Sequence, residues 1–313
     1  MAHNAPGKHY RKGLSLVQLT RKFPDNATAE KWFIETRWPN GVYCPKCGSG
    51  NIQERKTRKP QPYRCRDCRK DFSAKTGTLM QASNLGYQVW AIAIYLFTTG
   101  LKGTSSLKLH RDLDITQKSA WHLAHRIRET MEDRAPEMLF GGPVEADESY
   151  FGGLEKNRHA NQKKRLGRGT AGKAAVAGIK DRATNQIAAQ VVPRVDAATL
   201  QGFVRENTEA GARVYSDENL AYRGLPNHQA VKHSVSEYVR DQAHTNGLES
   251  FWSLMKRGYH GTYHSMSPKH LGRYVNEFAG RYNIRPRDTL DQMQSVVRAM
   301  DGKRLRYKDL VGE

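Results

Sequence analysis

Two Cys-x-x-Cys motifs lie close together in the chain, and they constrain its folding more than any other feature. The motifs are Cys44-Pro-Lys-Cys47 and Cys65-Arg-Asp-Cys68, they are separated by residues 48–64, and they contain all the cysteines of the chain. This pattern is typical of a tetrahedral zinc site with four thiolate ligands. Because four protein ligands leave no open position on the metal, we expect a structural site. The alternative is a set of buried or redox-active thiols.

The charge of the chain favours a polyanionic partner. Lys and Arg total 51 against 31 Asp and Glu, which gives a formal net charge of +20 over 313 residues. Nucleic acid is the leading partner, although charge alone also allows an anionic membrane surface. Eight basic residues lie around the cysteines, which favours a DNA-binding ribbon over a protein-interaction ribbon: Arg55, Lys56, Arg58, Lys59, Arg64, Arg66, Arg69 and Lys70.

The apolar runs are too short for a membrane span. The longest, Val89 to Phe97, has about half the required length, and the first residues contain no apolar run. We therefore expect a soluble protein without membrane partners. The confinement of all cysteines to one segment fits a reducing cytoplasm.

Composition and periodicity divide the chain into five segments. We expect an N-terminal helical segment over residues 1–40, capped by Asn26 or Thr28, and a zinc ribbon over 41–75. A helix-turn-helix-like segment follows over 76–135, then an α/β domain over 140–285 and a helical tail over 286–313. Within the α/β domain, strands at 144–150, 174–179, 186–192 and 213–216, with a helix at 199–209, predict a mixed sheet with helices.

A pair of short helices predicts a further DNA contact. Gly103, Thr104 and Ser105 can cap the first helix, and Thr116 can cap a second that runs to Met131. The apolar face of the second helix comprises Ala120, Trp121, Ala124, Ile127 and Met131, and its polar face comprises Gln117, Lys118, His122, His125, Arg126 and Arg128. That polar face suits groove and phosphate contacts if this is a recognition helix. A plain helical hairpin is the alternative.

A basic segment over residues 155–173 is a second candidate DNA contact. It contains seven Lys or Arg residues, among them Lys163, Lys164 and Arg165, and almost no apolar residue. A mobile loop that contacts DNA electrostatically and plain disorder explain this composition equally well.

Acidic residues mark three elements of the α/β domain. Alternation along the first strand places Glu145 and Asp147 on one face and Glu148 on the other. The fourth strand ends at Asp217, where α/β sheets commonly carry site residues. Taken singly, each of these acids could equally be an ordinary turn or cap residue.

The third element is an amphipathic helix over residues 246–257. Its apolar stripe is formed by Leu248, Phe251, Trp252 and Met255. Glu249 and Lys256 lie within about 20° of each other at the margin of this stripe. The alternative for Glu249 is a capping box with Asn246, in which the glutamate only satisfies a backbone N–H group.

These motifs together resemble a known family. The runs WFIETRWPNGVYCPKCGS, YRCRDCRKDFS, VEADESYFGG, VYSDEN and HTNGLESFWSLMKRGYHGTYH resemble bacterial insertion-sequence transposases of the zinc-ribbon ISXO type, and the resemblance extends from about Trp32 to Arg285. It implies an RNase H-like catalytic domain with a DDE triad at Asp147, Asp217 and Glu249, and with Lys256 as the accompanying base. Asn246, one turn before Glu249, is an alternative third residue, because some relatives use asparagine there.

Three converging carboxylates suit two Mg²⁺ or Mn²⁺ ions that promote cleavage of DNA and then strand transfer. Lys256 would hold a terminal phosphate or base, and its alternative is an exposed cation. His244 would assist, or serve as a structural histidine.

The expected partner is double-stranded DNA at the element ends and the target, bound by a homo-oligomer in the bacterial cytoplasm, associated with the nucleoid. The competing functions are a non-catalytic DNA-binding regulator and an RNase H-like nuclease that does not join strands.

Overall fold

The computed structural model describes residues 11–132, 139–153, 172–217, 219–230 and 245–312. The chain forms two compact units, one comprising residues 1–131 with 284–313 and the other comprising residues 132–283. In chain order, the elements are α1 (Leu16–Lys22), α2 (Asn26–Arg37), β1 (Ile52–Glu54), β2 (Tyr63–Cys65), β3 (Asp71–Phe72), α3 (Tyr87–Thr99), α4 (Ser106–Leu113), α5 (Gln117–Glu129), β4 (Val144–Phe151), β5 (Ala174–Asp181), β6 (Ile187–Val192), α6 (Ala197–Asn207), β7 (Val214–Ser216), β8 (His228–Ala230), α7 (Asn246–Gly258), α8 (Leu271–Ile284), α9 (Thr289–Arg298) and α10 (Tyr307–Val311).

The first unit is helical around α3. This helix contacts α2, α4, α5 and α9, and its Trp90, Ile94 and Phe97 side chains are fully buried. The apolar run at Val89 to Phe97 is therefore the centre of a helical core. Among the described residues, no helix is both long and apolar enough to cross a membrane.

The start of α2 corrects the predicted cap. Asp25 is the N-cap residue, and its carboxylate accepts a 2.7 Å hydrogen bond from the backbone N–H of Thr28. Asn26 is already helical, and its side-chain oxygen accepts the N–H of Tyr87 at the start of α3. Asp, Ser, Thr and Asn all cap helices well, so sequence alone did not identify which of the neighbouring polar residues caps α2.

The ribbon is a three-stranded antiparallel sheet in the order β1, β2, β3. Tyr63 on β2 pairs with Phe72 on β3, and both rings contact Trp38, which follows α2. These aromatic contacts attach a sheet with very short strands to the helical core of the same unit.

The second unit contains the predicted mixed sheet. Its order is β6, β5, β4, β7, β8; β4 pairs antiparallel with β5 and parallel with β7, and β7 pairs parallel with β8. The three-residue strand β8, His228-Gln229-Ala230, was not predicted. It contains no β-branched or apolar run, and its strand conformation depends on pairing with β7.

Helices cover both faces of this sheet. Along β5, Ala175, Ala177 and Ile179 belong to a core shared with α6, whereas Val176 belongs to a core shared with α7 and α8. Alternate residues of a strand point to opposite faces, so α6 lies on one face and α7 and α8 lie on the other. This arrangement determines which acidic side chains of β4 can reach which helix.

Candidate active site

The register of two central strands brings two aspartates together. Ala146 of β4 lies opposite Ser216 of β7, and these strands run parallel. The next residue along the chain in each case is an aspartate, so Asp147 and Asp217 are neighbours at the carboxyl end of β7. Ligands of α/β sheets commonly bind beyond the carboxyl ends of parallel strands.

Glu148 adds a third carboxylate. One oxygen from each of Asp147, Glu148 and Asp217 lies within 4.8 Å of the others. Glu148 projects to the α6 face, where its Oε1 accepts a 2.6 Å hydrogen bond from Asn219 Nδ2 and its Oε2 accepts a 3.1 Å hydrogen bond from the Tyr222 hydroxyl. Alternation predicted that face, but it did not predict that the loop after β7 approaches Glu148 so closely.

Asn219 also orders the loop that carries Asp217. Its backbone N–H donates a 3.1 Å hydrogen bond to Asp217 Oδ1, and its side-chain oxygen accepts a 3.0 Å hydrogen bond from the N–H of Ala221. Asn219 thus joins Asp217 to Glu148 on the neighbouring strand. Sequence reasoning missed it, although Asp and Asn two residues apart after a strand are a signal for a side-chain-stabilised turn.

Burial and nearby negative charge raise the pKa of two of these acids, Asp147 and Glu148. Burial, followed by the charges of Asp217 and Glu148, raises the pKa of Asp147 to about 7, against the opposing effect of a hydrogen bond from Trp252. Burial also raises the pKa of Glu148, while the hydrogen bond from Asn219 opposes that rise. Negative charge here is therefore poorly solvated, as expected where a cation balances carboxylates.

The carboxylate oxygens fit a divalent cation by type and spacing. Mg²⁺ prefers oxygen ligands at 2.0–2.1 Å in an octahedron, so adjacent oxygens are about 3 Å apart and opposite ones about 4.2 Å apart. One oxygen from each of Asp147, Glu148 and Asp217 lies within 4.8 Å of the others, so the three side chains can share one ion by drawing together around it.

Glu249 lies on α7 and lines a cavity of about 450 Å³ together with Asp147 and Glu148. Its carboxylate is outside the group of three that lie within 4.8 Å of one another. The capping-box alternative is not what the helix shows: Thr245 is the N-cap residue, its side chain makes no capping bond, and Glu249 is the fourth helical residue. Asn246, the first helical residue, is exposed and is not among the residues that line the cavity.

The other wall of the cavity is cationic. Ser253, Lys256, Arg257 and His260 follow Glu249 along the same side of α7 and continue past its end. Lys256 therefore shares a surface with Glu249, as the helical phase predicted. A cavity lined by both carboxylates and cations can hold a metal ion beside a phosphate group.

Trp252 contacts Asp147 from the α7 side. Its indole Nε1 donates a 3.0 Å hydrogen bond to Asp147 Oδ2. The indole lies over Gly178, which is the cross-strand neighbour of Asp147 on β5, and a Cβ atom at Gly178 would lie 2.7 Å from Trp252 Cζ2. The sequence placed Trp252 only in the apolar stripe, so its polar contact was missed.

The four cysteines converge in the first unit. Cys44 Sγ lies 3.6 Å from Cys68 Sγ, Cys47 Sγ lies 3.6 Å from Cys65 Sγ, and all four sulfurs lie within 4.8 Å of one another. Metal–sulfur bonds of about 2.3 Å in a tetrahedron place sulfurs about 3.8 Å apart. The thiols therefore fit one tetrahedral metal ion.

The two Cys-x-x-Cys motifs, called knuckles from here on, have the same backbone turn. The residue after the second cysteine of each, Gly48 or Arg69, has a left-handed backbone with φ of 75° or 57°. Asp67 of the second knuckle accepts hydrogen bonds from the side chains of Ser49 and Asn51 beside the first, the latter at 2.8 Å. These contacts hold the two knuckles together around the sulfurs.

The predicted DNA-contacting face of α5 needs correction. Thr116 caps α5 as expected, and Gln117 and Lys118 are exposed at its start. Arg126, however, is buried, and its Nε donates a 3.1 Å hydrogen bond to the carbonyl of Leu305. His122 is half-buried with a ring nitrogen 3.1 Å from the same carbonyl.

Other residues of that face are also covered. His125 and Arg128, predicted to be polar surface, are buried as well. The guanidinium of Arg128 lies over the Phe97 ring of α3, and the C-terminal segment before α10 packs against His122 and Arg126. No local pattern in α5 could indicate either contact. The predicted contacts at Lys163, Lys164 and Arg165, and the assisting residue His244, lie outside the described residues.

Comparisons with known proteins match the segments that contain the two sites to transposase domain families. Residues 139–283 match the family model described as the ISXO2-like transposase domain, and residues 24–71 match the transposase zinc-ribbon domain. An uncharacterized protein in transposable element ISH50 of Halobacterium salinarum is 30% identical over 281 residues, which are 84% of this chain and 93% of that protein. An uncharacterized transposase-like protein of Haemophilus influenzae is 29% identical over 97 residues, 30% of this chain and 77% of the relative. No solved structure matches the chain.

The mixed five-stranded sheet with helices on both faces is consistent with an RNase H-like fold in the segment that matches the transposase domain. The four-cysteine cluster lies in the segment that matches the zinc ribbon. The matches cover both units, and the relative from the transposable element aligns along most of the chain. The chain therefore belongs to the ISXO2-like transposases, as a DDE-class enzyme with an N-terminal zinc ribbon.

Proposed function

We propose that this transposase cleaves the DNA ends of its own insertion element and joins them to target DNA by divalent-metal-dependent phosphoryl transfer. The observation that carries the proposal is the convergence of Asp147 and Asp217 through the β4–β7 register, beside a cavity that Glu249 also lines. Asp147, Asp217 and Glu249 are the proposed ligands of Mg²⁺ or Mn²⁺. A pair of such ions supplies an activated water or 3′-hydroxyl and neutralises charge at the leaving oxygen.

The protein's own groups have separate tasks in this proposal. Trp252 orients Asp147 through its indole N–H, and Asn219 orients Asp217 through its backbone N–H. Lys256 holds a DNA phosphate at the cationic wall of the cavity, with Arg257 and His260 beside it. Such preorganised donors stabilise the charge of a transferring phosphoryl group without reorganisation during the reaction.

The remaining contacts to DNA are proposed for the first unit and the basic segment. The four cysteines would bind a structural zinc ion, and the basic residues of the ribbon would contact phosphates. Gln117 and Lys118, which remain exposed on α5, are proposed as further DNA contacts. Lys163, Lys164 and Arg165 of the basic segment are also proposed to contact DNA. We expect a homo-oligomer in the active complex, acting in the bacterial cytoplasm at the nucleoid.

Strand cleavage by purified full-length protein tests this proposal. The substrate is a labelled duplex of the DNA that flanks its coding sequence, with Mg²⁺ or Mn²⁺. We expect nicked and joined products, and we expect Asp147→Asn, Asp217→Asn and Glu249→Gln each to abolish both while gel-shift binding to the duplex persists. Glu206→Gln, an exposed acid on α6 of the same unit, is the matched control and should retain activity.

Two outcomes would select the competing functions. Binding of the duplex without metal-dependent nicking would indicate a DNA-binding regulator, and nicking without joined products would indicate a nuclease. The choice between Glu249 and Asn246 is tested separately. We expect Asn246→Ala to retain cleavage, because this exposed side chain is not among those lining the cavity, and Glu249→Ala to lose it.

A further inference from the structure

β4 carries a second acid on the face of Asp147 that the proposed chemistry does not use. Glu145 is only 1% exposed. Its Oε1 accepts a 3.0 Å hydrogen bond from Arg182 Nε, and its Oε2 accepts a 2.9 Å hydrogen bond from the backbone N–H of Leu248. A buried carboxylate requires such partners, and here one of them belongs to the first turn of α7.

The carboxylate contacts the start of α7, where the N-cap residue Thr245 makes no side-chain capping bond. The N–H groups in the first turn of a helix lack the i−4 partners of the helix interior. The N–H of Leu248 donates a 3.0 Å hydrogen bond to the carbonyl of Thr245, and Glu145 supplies it with a second acceptor from the neighbouring strand. Its negative charge also interacts favourably with the positive end of the helix dipole.

The backbone approaches Glu145 closely at Gly247. A Cβ atom at this position would lie 2.8 Å from Glu145 Oε2 and would also collide with Lys180 Nζ. Lys180 lies opposite Glu145 in the β4–β5 register. The backbone of the first turn of α7 therefore lies directly against the Glu145 carboxylate, which is paired with Arg182. A side chain at position 247 would crowd this contact.

We infer that Glu145 is a positioning residue of the active site, because it holds the first turn of α7 on β4 and so places Glu249 relative to Asp147. Glu145 accepts a hydrogen bond from the N–H of Leu248, the residue directly before Glu249. Asp147 is two residues after Glu145 on the same strand. β4 thus carries the proposed metal ligand Asp147 and also Glu145, which holds the helix that carries the proposed ligand Glu249. The inference rests on the proposed metal site.

Binding of Mn²⁺ to full-length protein, followed by electron paramagnetic resonance, tests this role without relying on turnover. Partners that orient metal ligands change metal affinity by about 10- to 100-fold when they are removed. We expect Glu145→Ala to weaken Mn²⁺ binding by at least about 10-fold. The double variant Glu145→Ala/Glu249→Ala should bind no more weakly than Glu249→Ala alone, because the anchor acts through Glu249.

Further variants separate positioning from general loss of structure. Asn283→Ala is the matched control: it removes two hydrogen bonds with the backbone of Ile187, at 2.8 and 2.9 Å, in the same unit, and should leave Mn²⁺ affinity unchanged. Gly247→Ala crowds the Glu145 carboxylate and Lys180 Nζ without altering a charge, and it should weaken binding in the same direction as Glu145→Ala. Glu145→Gln keeps one acceptor oxygen, so its affinity for Mn²⁺ should lie between those of the wild type and Glu145→Ala. It replaces Glu145→Ala in the experiment if the alanine variant does not fold.

The inference is overturned if Glu145→Ala and Gly247→Ala bind Mn²⁺ as tightly as Asn283→Ala does. It is equally overturned if the losses from Glu145→Ala and Glu249→Ala multiply in the double variant, because Glu145 would then act independently of Glu249. Failure of the proposed function has a different signature. In that case, Asp147→Asn and Asp217→Asn themselves would leave Mn²⁺ affinity unchanged.

Discussion

Gly178→Ala adds one methyl group beside the proposed catalytic acids without changing any charge or hydrogen-bonding group. Gly178 lies opposite Asp147 on β5, and the added Cβ would lie 2.7 Å from Trp252 Cζ2 and 2.9 Å from Cη2. An ordinary contact begins at 3.4 Å, so the indole must move by roughly 0.7 Å or the strands must separate. Either response stretches the 3.0 Å hydrogen bond from the indole to Asp147.

The expected magnitudes follow from this displacement. Overpacking of a core by a methyl group costs about 1 to 3 kcal/mol of unfolding free energy. For a domain of this size, each kcal/mol lowers the melting temperature by about 2 to 4 °C. Because a misplacement of about 1 Å at a catalytic group can reduce a rate about 100-fold, we expect a loss of cleavage of that order.

Two measurements distinguish these effects. Thermal denaturation gives the stability loss, and single-turnover cleavage of the labelled element-end duplex, with Mg²⁺ at a temperature well below melting, gives the rate. Trp252→Phe isolates the hydrogen bond, since it keeps a ring against Gly178 but removes the N–H donor. Loss of a group that orients a metal ligand lowers activity about 10- to 100-fold, so we expect at least about a 10-fold slower cleavage.

Gly202→Ala is the control for glycine replacement itself. Gly202 lies within α6 of the same unit, and a Cβ atom there meets nothing within 4 Å. This change should stabilise the protein by about 0.5 to 1 kcal/mol and leave the rate unchanged. The reasoning is refuted if Gly178→Ala is destabilised but cleaves at the wild-type rate, because the contact between Trp252 and Asp147 would then have no role in catalysis.

Three further predictions concern the metal sites and the loop after β7. Full-length protein should contain one zinc ion per chain by elemental analysis, and Cys65→Ser should release the ion and weaken DNA binding in gel shifts; full zinc content in that variant would contradict a four-thiolate site. In metal-free protein, the pKa of Asp147 is raised from 3.8 to about 7, so this carboxyl group binds its proton more tightly in the folded state than in the unfolded state. The resulting stability is fully present below about pH 4 and is lost as the pH rises through 7, so the free energy of unfolding from denaturant melts should fall more steeply over this range in the wild type than in Asp147→Asn. Asn219→Ala keeps the backbone N–H that donates to Asp217 but removes the side-chain bonds with Glu148 and Ala221, and it should slow cleavage about 10-fold with duplex binding intact; an unchanged rate would show that cleavage does not need these side-chain bonds.

The sequence was most informative where the relevant residues are close together in the chain. The spacing of Cys44, Cys47, Cys65 and Cys68 predicted a metal cluster, because each knuckle brings two sulfurs together through local turns, and the sulfurs do converge. Alternation along β4 correctly separated Asp147 from Glu148, since the side-chain period of a strand is fixed by its backbone. The phase of α7 likewise placed Glu249 and Lys256 on one surface.

Where the sequence failed, distant segments decided the outcome. Periodicity assigned Arg126 and His122 to the exposed face of α5, but the carbonyl of Leu305 approaches that face from the far end of the chain. The strand β8 forms only because β7 offers an edge to pair with.

By itself, the sequence determined the mixed α/β class, the zinc-ribbon knuckles and the family, because these depend on local spacing and on motifs. Only the tertiary structure decided which residues each acid of β4 contacts. The β4–β7 register brings Asp147 beside Asp217, Glu148 reaches Asn219, and Glu145 contacts the start of α7. The physical reason is that a strand's pattern gives the face of each side chain, whereas its partner on that face depends on packing between segments that are up to about a hundred residues apart.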